Sequence, residues 1–244
     1  MTLLPTDHTA ALAAAVASIS ATDVAALDEP VPTCGDWTVA DVILHTSMIH
    51  RWATGIVATH AQERPHRDGP ADLAGAAVID HFVEGAAGLT AAFAASDPDE
   101  VLYAFVGPRP VSWWMRRQAQ ETVVHAWDAQ LGAGNPQPID APIAVDGIDE
   151  LFDVFVPRLG ADRVDGHGET LHLHATDAPG EWLLRFDPDR IDITHEHGKG
   201  DAAVRATASD LLLFAWSRLP PTAAELTTFG DAPLLARYQS IVSF

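Results

Sequence analysis

Gly132-Ala133-Gly134-Asn135-Pro136-Gln137-Pro138 divides this chain into two kinds of sequence. Glycine and proline interrupt both helix and strand, so the stretch reads as a boundary. Ahead of it, apolar residues recur in steps of three and four, the period of a helix. Behind it, short runs alternate and end at Gly, Pro or Asp, the pattern of strands.

Working backwards, a helix is expected over residues 111 to 131, and another over 72 to 95, ending before Asp97-Pro98. A third runs from Thr38 to about residue 60, with Asp41 standing in for the Glu of a capping box. An alanine-rich helix over residues 7 to 27 comes first, and a loop with Pro30, Pro32 and Gly35 follows it. Four such helices with short connections suggest an antiparallel bundle. Working forwards, residues 143 to 156 read as a helix ending at Pro157. Strands are expected over 170–175, 181–186, 190–195 and 203–206, and closing helices over 209–218 and 231–240. The expected fold class is therefore α+β: a helical bundle over 1–135, then a small α/β domain over 136–244.

The chain carries 34 acidic against 14 basic residues, a formal net charge of -20. Such a field opposes phosphate backbones and anionic lipid, which argues against nucleic acid and membrane surfaces as partners. An anionic substrate would need a local basic anchor. Cys34 is the single cysteine, so no intrachain disulfide can form. No signal-like start and no run of about 18 apolar residues is found. The expectation is a cytoplasmic protein, monomeric or weakly dimeric, since nothing forces a dimer.

Glu121 and His125 lie four residues apart and share a helix face. His45 falls on the apolar stripe Val42, His45, Ile49, Trp52, Ile56 of the second helix. An imidazole, a carboxylate and a second imidazole are a ligand set for a divalent ion, with one position left open, and Zn2+ suits it. Two readings stay open at this point. One is a metal site in the bundle core; the other is a hydrogen-bonded pair with a separately satisfied histidine. His50 lies well round the helix from His45. His8, His60, His66, His81 and His167 read as surface or loop residues. His172 with His174, and His195 with His197, alternate at strand spacing, so each pair shares a face. No carboxylate in the pattern completes them as a site, and they read as water-exposed strand faces. Cys34 beside Asp36 is a poor nucleophile, because an acidic neighbour raises a thiol pKa. Arg218 closes an apolar helix, either as a cation at its C-terminus or as an anchor for a carboxylate. No phosphate-binding glycine loop, dinucleotide fingerprint or serine elbow is present.

Several segments together resemble one family. The run from Cys34-Gly35-Asp36-Trp37-Thr38 to His45 is similar to the entry helix of the mycothiol-dependent maleylpyruvate isomerase family, with Val42 where that motif has Leu. Arg116-Arg117 through Glu121 and His125 to Asp128 resembles its second motif. Leu171-His172-Leu173-His174-Ala175-Thr176-Asp177, Asp210-Leu211-Leu212-Leu213 up to Arg218, and Gly230-Asp231 resemble its C-terminal domain. The resemblance implies a DinB-like four-helix bundle followed by a sterol-carrier-like α/β domain. It implies an enzyme whose divalent ion, Zn2+, is held by His45, Glu121 and His125, whose cofactor is mycothiol, and whose catalytic arginine is Arg218. The implied reaction is cis–trans isomerisation by thiolate addition and elimination on an electrophilic, carboxylate-bearing substrate. Release of the adduct would make it a thiol S-transferase, and a non-catalytic binding module is the remaining alternative. Gln120 stands where many relatives carry His.

Overall fold

The structure, a computed structural model, describes residues 2–242. Side-chain caps set where its first helices begin. α1 spans Pro5–Ser20, with Pro5 in the first turn and the Asp7 carboxylate accepting the Leu4 N–H at 2.7 Å. It stops seven residues short of the expected end at 27. Asp23 draws the Ala25 N–H to its own carboxylate at 2.9 Å and sets up a separate 3-10 turn, Val24–Ala26. α2 spans Val39–Ala58 and opens with the capping box: the Thr38 hydroxyl accepts the Asp41 N–H, and the Asp41 carboxylate accepts the Thr38 N–H. α3 spans Ala76–Ala95, four residues later than expected at its start, because Gly75 at φ 60° breaks the helical path. A two-residue hairpin that the sequence reading lacked, β1 (Val101–Leu102) and β2 (Arg109–Pro110), leads into α4, Val111–Gly132.

Within residues 3–137, α1 packs on α4, and α2 packs on both α3 and α4. One apolar cluster gathers Leu12, Ile56, Leu89, Phe93 and Trp114; a second gathers Ile19, Val42, Ile43, Phe82 and Ala126. Both are expected from helical periodicity. Gly132 permits the closest approach. A Cβ there would stand 2.5 Å from Val39 Cγ2 and 2.9 Å from Val31 Cγ2.

The second compact unit comprises, among the described residues, Thr2 and residues 138–242. α5 (Ala141–Glu150) widens into a π-helical turn, Leu151–Phe155, and tightens into a 3-10 turn, Val156–Arg158. Pro157, which has no N–H, cannot continue the α-helical ladder that the sequence suggested to residue 156. α6 (Ala161–Val164) precedes β3 (Glu169–Ala175), β4 (Glu181–Phe186), β5 (Ile191–Thr194) and β6 (Ala202–Ala206). Then come α7 (Ala208–Ala215), β7 (Thr227–Gly230) and α8 (Ala232–Ile241). The sheet order is β5-β4-β3-β6-β7, with β3–β6 the one parallel pair. β7 escaped the sequence reading: all four of its residues are exposed, so it carries no alternation.

Leu171, Leu173, Trp182, Leu184, Phe186 and Val204 are fully buried on one sheet face, with α7 and α8 packed against β3 and β6. The indole N–H of Trp182 donates to Asp149 on α5 at 2.7 Å, which fixes the helix to the sheet. The fold class is α+β, a helical bundle followed by a sheet domain. No helix among the described residues is long and apolar enough to cross a membrane.

Candidate metal centre

α4 carries a run of buried polar residues, Arg117, Gln118, Gln120, Thr122 and Asp128. Polar groups inside a bundle cost about 1–3 kcal/mol each unless paired. One of them, Arg117, pairs with Glu121, where two histidines also converge. The carboxylate Oε1 stands 3.3 Å from His45 Nε2 and 3.5 Å from His125 Nε2. Its Oε2 accepts from the Arg117 guanidinium at 2.8 Å, one helical turn back on α4. The structure thus brings together His45, Glu121 and His125, with one ligand atom of each within 4.8 Å of the others. His45 is less deeply placed than its stripe suggested: its side chain is 26% exposed, and His125 is 12% exposed. The trio therefore sits at a rim of the bundle, partly exposed.

A partner outside the trio holds His125. The Asp128 carboxylate accepts the His125 Nδ1–H at 3.1 Å, and its other oxygen accepts the Thr33 hydroxyl at 2.7 Å. Nδ1 thereby keeps its proton, and Nε2 is turned toward Glu121. This is how outer carboxylates orient metal-bound histidines. Asp128 stood in the sequence motif without a role. Thr33 had no signal, because its approach to Asp128 spans 95 residues of sequence. On the other side, the Trp37 ring packs on His45 at 4.9 Å, and the His45 and His125 rings meet edge to face at 5.1 Å.

Electrostatics favour a cation here. Burial, the largest influence on Glu121, would raise its pKa. Hydrogen bonds from His125 and His45, with the charges of His125 and Arg117, outweigh burial and hold the carboxyl well below its usual range. Burial is likewise the largest influence on His125 and would lower it. Asp128 and Glu121 overcome that and push its pKa up to about 9. Two carboxylates against one arginine leave net negative charge around the ligand atoms. The protonated His125 ring pairs with both carboxylates, 3.5 Å from Glu121 and 3.1 Å from Asp128.

One of the remaining bundle histidines differs from its sequence reading, and another agrees with it. His8, expected at the surface, is buried on α1. His50 is wholly buried, yet it is no partner of the trio. The Thr122 hydroxyl donates to the Gln118 carbonyl at 2.7 Å, so it accepts from His50 Nε2–H at 2.8 Å. Desolvation pushes the His50 pKa down to about 4, and the ring stays neutral. Cys34 is half-buried; its loop serves the site through Thr33.

Arg218 lies in the other unit, past the end of α7. Trp216 caps that helix, and Ser217 adopts φ 60°. The Arg218 N–H then reaches the Leu213 carbonyl at 2.7 Å, closing a Schellman turn. Its guanidinium donates to the Trp216 carbonyl at 3.0 Å and lies 6.0 Å over the Trp216 ring.

Fold and site together define a helical bundle with a histidine–carboxylate cluster, joined to an α+β domain. The chain belongs to the mycothiol maleylpyruvate isomerase family: residues 6–130 match its N-terminal domain and residues 142–237 its C-terminal domain. A crystal structure of the mycothiol-dependent maleylpyruvate isomerase is similar over 93% of this chain and 95% of that one, at 16% identity and a TM-score of 0.61. A mutant of that isomerase superimposes at 0.59 over the same shares, with 15% identity. At these identities the likeness is one of fold. The UbiJ-SCP2 ubiquinone synthesis protein overlaps 41% of this chain and 94% of its own, at 24% identity and a TM-score of 0.34. No curated protein sequence matches significantly.

Proposed function

We propose that His45, Glu121 and His125 hold one divalent ion, Zn2+, and that the protein is a mycothiol-dependent enzyme. Its reaction would be cis–trans isomerisation of an unsaturated, carboxylate-bearing substrate by addition and elimination of the thiol. The observation that carries this reading is the spacing of the ligand atoms. Two atoms bound to a tetrahedral ion at about 2.1 Å stand about 3.4 Å apart. Glu121 Oε1 stands 3.3 Å from His45 Nε2 and 3.5 Å from His125 Nε2. The donor set fits as well, since two imidazoles and a carboxylate leave one tetrahedral position open. Bound there, the ion would hold a thiol as thiolate, where a free thiol is only about 3% ionised at pH 7.

The chain's own residues do the rest. Asp128 keeps the proton of His125 on Nδ1, so that Nε2 offers its lone pair. Arg117 fixes the orientation of Glu121 through Oε2 and leaves Oε1 for coordination. His45, the most exposed of the three, is steadied by Trp37. Arg218 would hold a substrate carboxylate and the negative charge that develops beside it. Family membership supports the thiol partner, and the location we assign is the cytoplasm.

The test is to incubate the purified protein with Zn2+, mycothiol and maleylpyruvate. Fumarylpyruvate formed with the thiol unchanged is the expected result. A stable thiol adduct would replace isomerase with S-transferase. No reaction, together with no uptake of Zn2+, would leave a binding module without catalysis. His125→Ala should abolish metal binding at this site, and full occupancy in that variant would overturn the ligand set. Arg218→Ala should spare the metal and lower turnover; unchanged kinetics would remove Arg218 from the mechanism.

A further inference from the structure

The sequence reading left His172, His174, His195 and His197 as exposed strand faces, for want of a carboxylate. Pairing across the sheet supplies one. β3 is the central strand, and its alternation sends Leu171, Leu173 and Ala175 to the helix-covered face. His172 and His174 therefore share the opposite face. The β3–β4 register sets Glu181 directly opposite His174 and two positions along from the partner of His172. A residue so placed is within side-chain reach of both.

The carboxylate takes up that position. Glu181 Oε1 lies 2.9 Å from His174 Nδ1, and Oε2 lies 3.3 Å from His172 Nε2. A third imidazole arrives from the segment after β5, with His197 Nδ1 2.8 Å from Glu181 Oε2. Its ring meets that of His172 edge to face at 5.3 Å. His195, expected beside His197, turns instead toward Asp149, at 3.7 Å.

The returning segment is fitted closely to the sheet. A Cβ on Gly200 would meet the Ala202 carbonyl, and would lie 2.9 Å from the His172 nitrogen and 3.0 Å from the Thr170 carbonyl. These are backbone atoms that cannot swing aside. Only glycine lets the chain pass there and carry His197 over β3 and β4.

We propose that His172, His174, Glu181 and His197 form a second metal site, which takes one divalent transition-metal ion of the zinc class. One ligand atom from each of the four lies within 4.8 Å of the rest. Three imidazole nitrogens and one carboxylate oxygen suit Zn2+ and its neighbours Co2+ and Ni2+. They do not suit Ca2+ or Mg2+, which take shells of oxygen. Four protein donors fill a tetrahedral shell, so this ion holds structure together. What it holds is the segment around His197, fastened to two strands of the sheet. The His197 side chain is 79% exposed, so the ion exchanges with solution and the site loads according to the metal supply.

The test uses the full chain carrying His125→Ala, which removes the bundle site, so the outcome does not depend on the reading given above for that site. After chelator treatment, this protein is titrated with Zn2+ and its bound metal is measured. One equivalent is expected, together with slowed amide exchange over residues 195–201. Adding His197→Ala should weaken uptake by at least about tenfold, since loss of a mere outer partner of a ligand already costs that much. His197 stands outside every strand, so this change leaves the sheet intact; Glu181→Gln should have the same effect. Two results would overturn the proposal. One is no uptake in the His125→Ala protein, which would make the cluster a carboxylate hydrogen-bonded to three rings. The other is uptake whose affinity is unchanged by His197→Ala, which would place the ion elsewhere.

Discussion

Replacing Asp128 separates its two contributions to the bundle site, orientation and charge. Its side chain is completely buried, with one oxygen on His125 Nδ1 and the other on the Thr33 hydroxyl. Asp128→Ala removes both acceptors. It leaves the His125 ring free to change tautomer, so that Nε2 carries a proton for part of the time and cannot bind metal. Loss of such an outer partner costs about 10- to 100-fold in metal affinity, or roughly 1.4–2.7 kcal/mol. Asp128→Asn has almost the same shape. Its amide oxygen can accept from Nδ1–H while its NH2 faces Thr33, whose hydroxyl can turn and accept. The tautomer survives, and only the negative charge is lost. We expect Asn to lose about tenfold at most and Ala distinctly more. The assay is competition for Zn2+ against a chromophoric chelator at pH 7.5, with near-ultraviolet circular dichroism as a check on folding. A folded Asp128→Ala protein that binds Zn2+ within twofold of the parent would refute the reasoning. Equal losses in the two variants would show that charge, and not tautomer, is what Asp128 supplies.

The remaining predictions concern stability. His50 is buried neutral, with its pKa pushed down to about 4 by desolvation from an ordinary 6.5. Above pH 6.5 neither folded nor unfolded chain is protonated there; as the pH falls from 6.5 towards 4 the unfolded chain takes up a proton first, and stability is lost. At about 1.4 kcal/mol per pH unit the loss approaches roughly 3 kcal/mol, with about 2 kcal/mol gone by pH 5. In urea unfolding of metal-free protein, the stability gap between parent and His50→Leu should change by that amount between pH 7.5 and 5. A constant gap contradicts the burial argument. Gly132→Ala should destabilise by about 1–3 kcal/mol, since its Cβ would press on Val39 and Val31, both fully buried. An unchanged urea midpoint would show that the loop carrying Val31 yields freely.

How much could be read in the sequence depended on the distance between partners. The Thr38–Asp41 box was legible because both residues lie within one turn, and α2 begins where it says. Glu121 and His125 were legible for the same reason. Helical phase also chose the face of α2 that bears His45, but phase does not say how far neighbouring elements cover a face, and His45 proved to be at the rim. Glu181 was invisible as a partner of the histidines because strand register joins them, and neither strand specifies its register alone. Thr33 was invisible because the folding of its loop against α4 joins it to Asp128 across 95 residues of sequence. The end of α1 was misjudged because alanine favours helix wherever it stands, while a single aspartate, Asp23, redirects the backbone.

Two buried polar atoms without a hydrogen-bond partner lie close in sequence to the residues of the cluster, one on α2 and one on α4. In a core assembled for stability, buried donors and acceptors are paired almost without exception. Here His50 Nδ1 and Gln118 Oε1 are buried and find no protein partner. Both residues touch Thr122 through other atoms: His50 Nε2–H donates to the Thr122 hydroxyl, which donates to the backbone carbonyl of Gln118, and Thr122 follows Glu121 directly. Apolar side chains at these positions would pack with less desolvation cost and would extend the two apolar clusters of the bundle. The polar layer therefore does not exist for stability. It surrounds the helix turn that carries Glu121, and that turn is where the histidines converge. Buried polar residues that carry a desolvation cost are thus neighbours of those that would hold the ion, as expected where local rules of folding yield to a site.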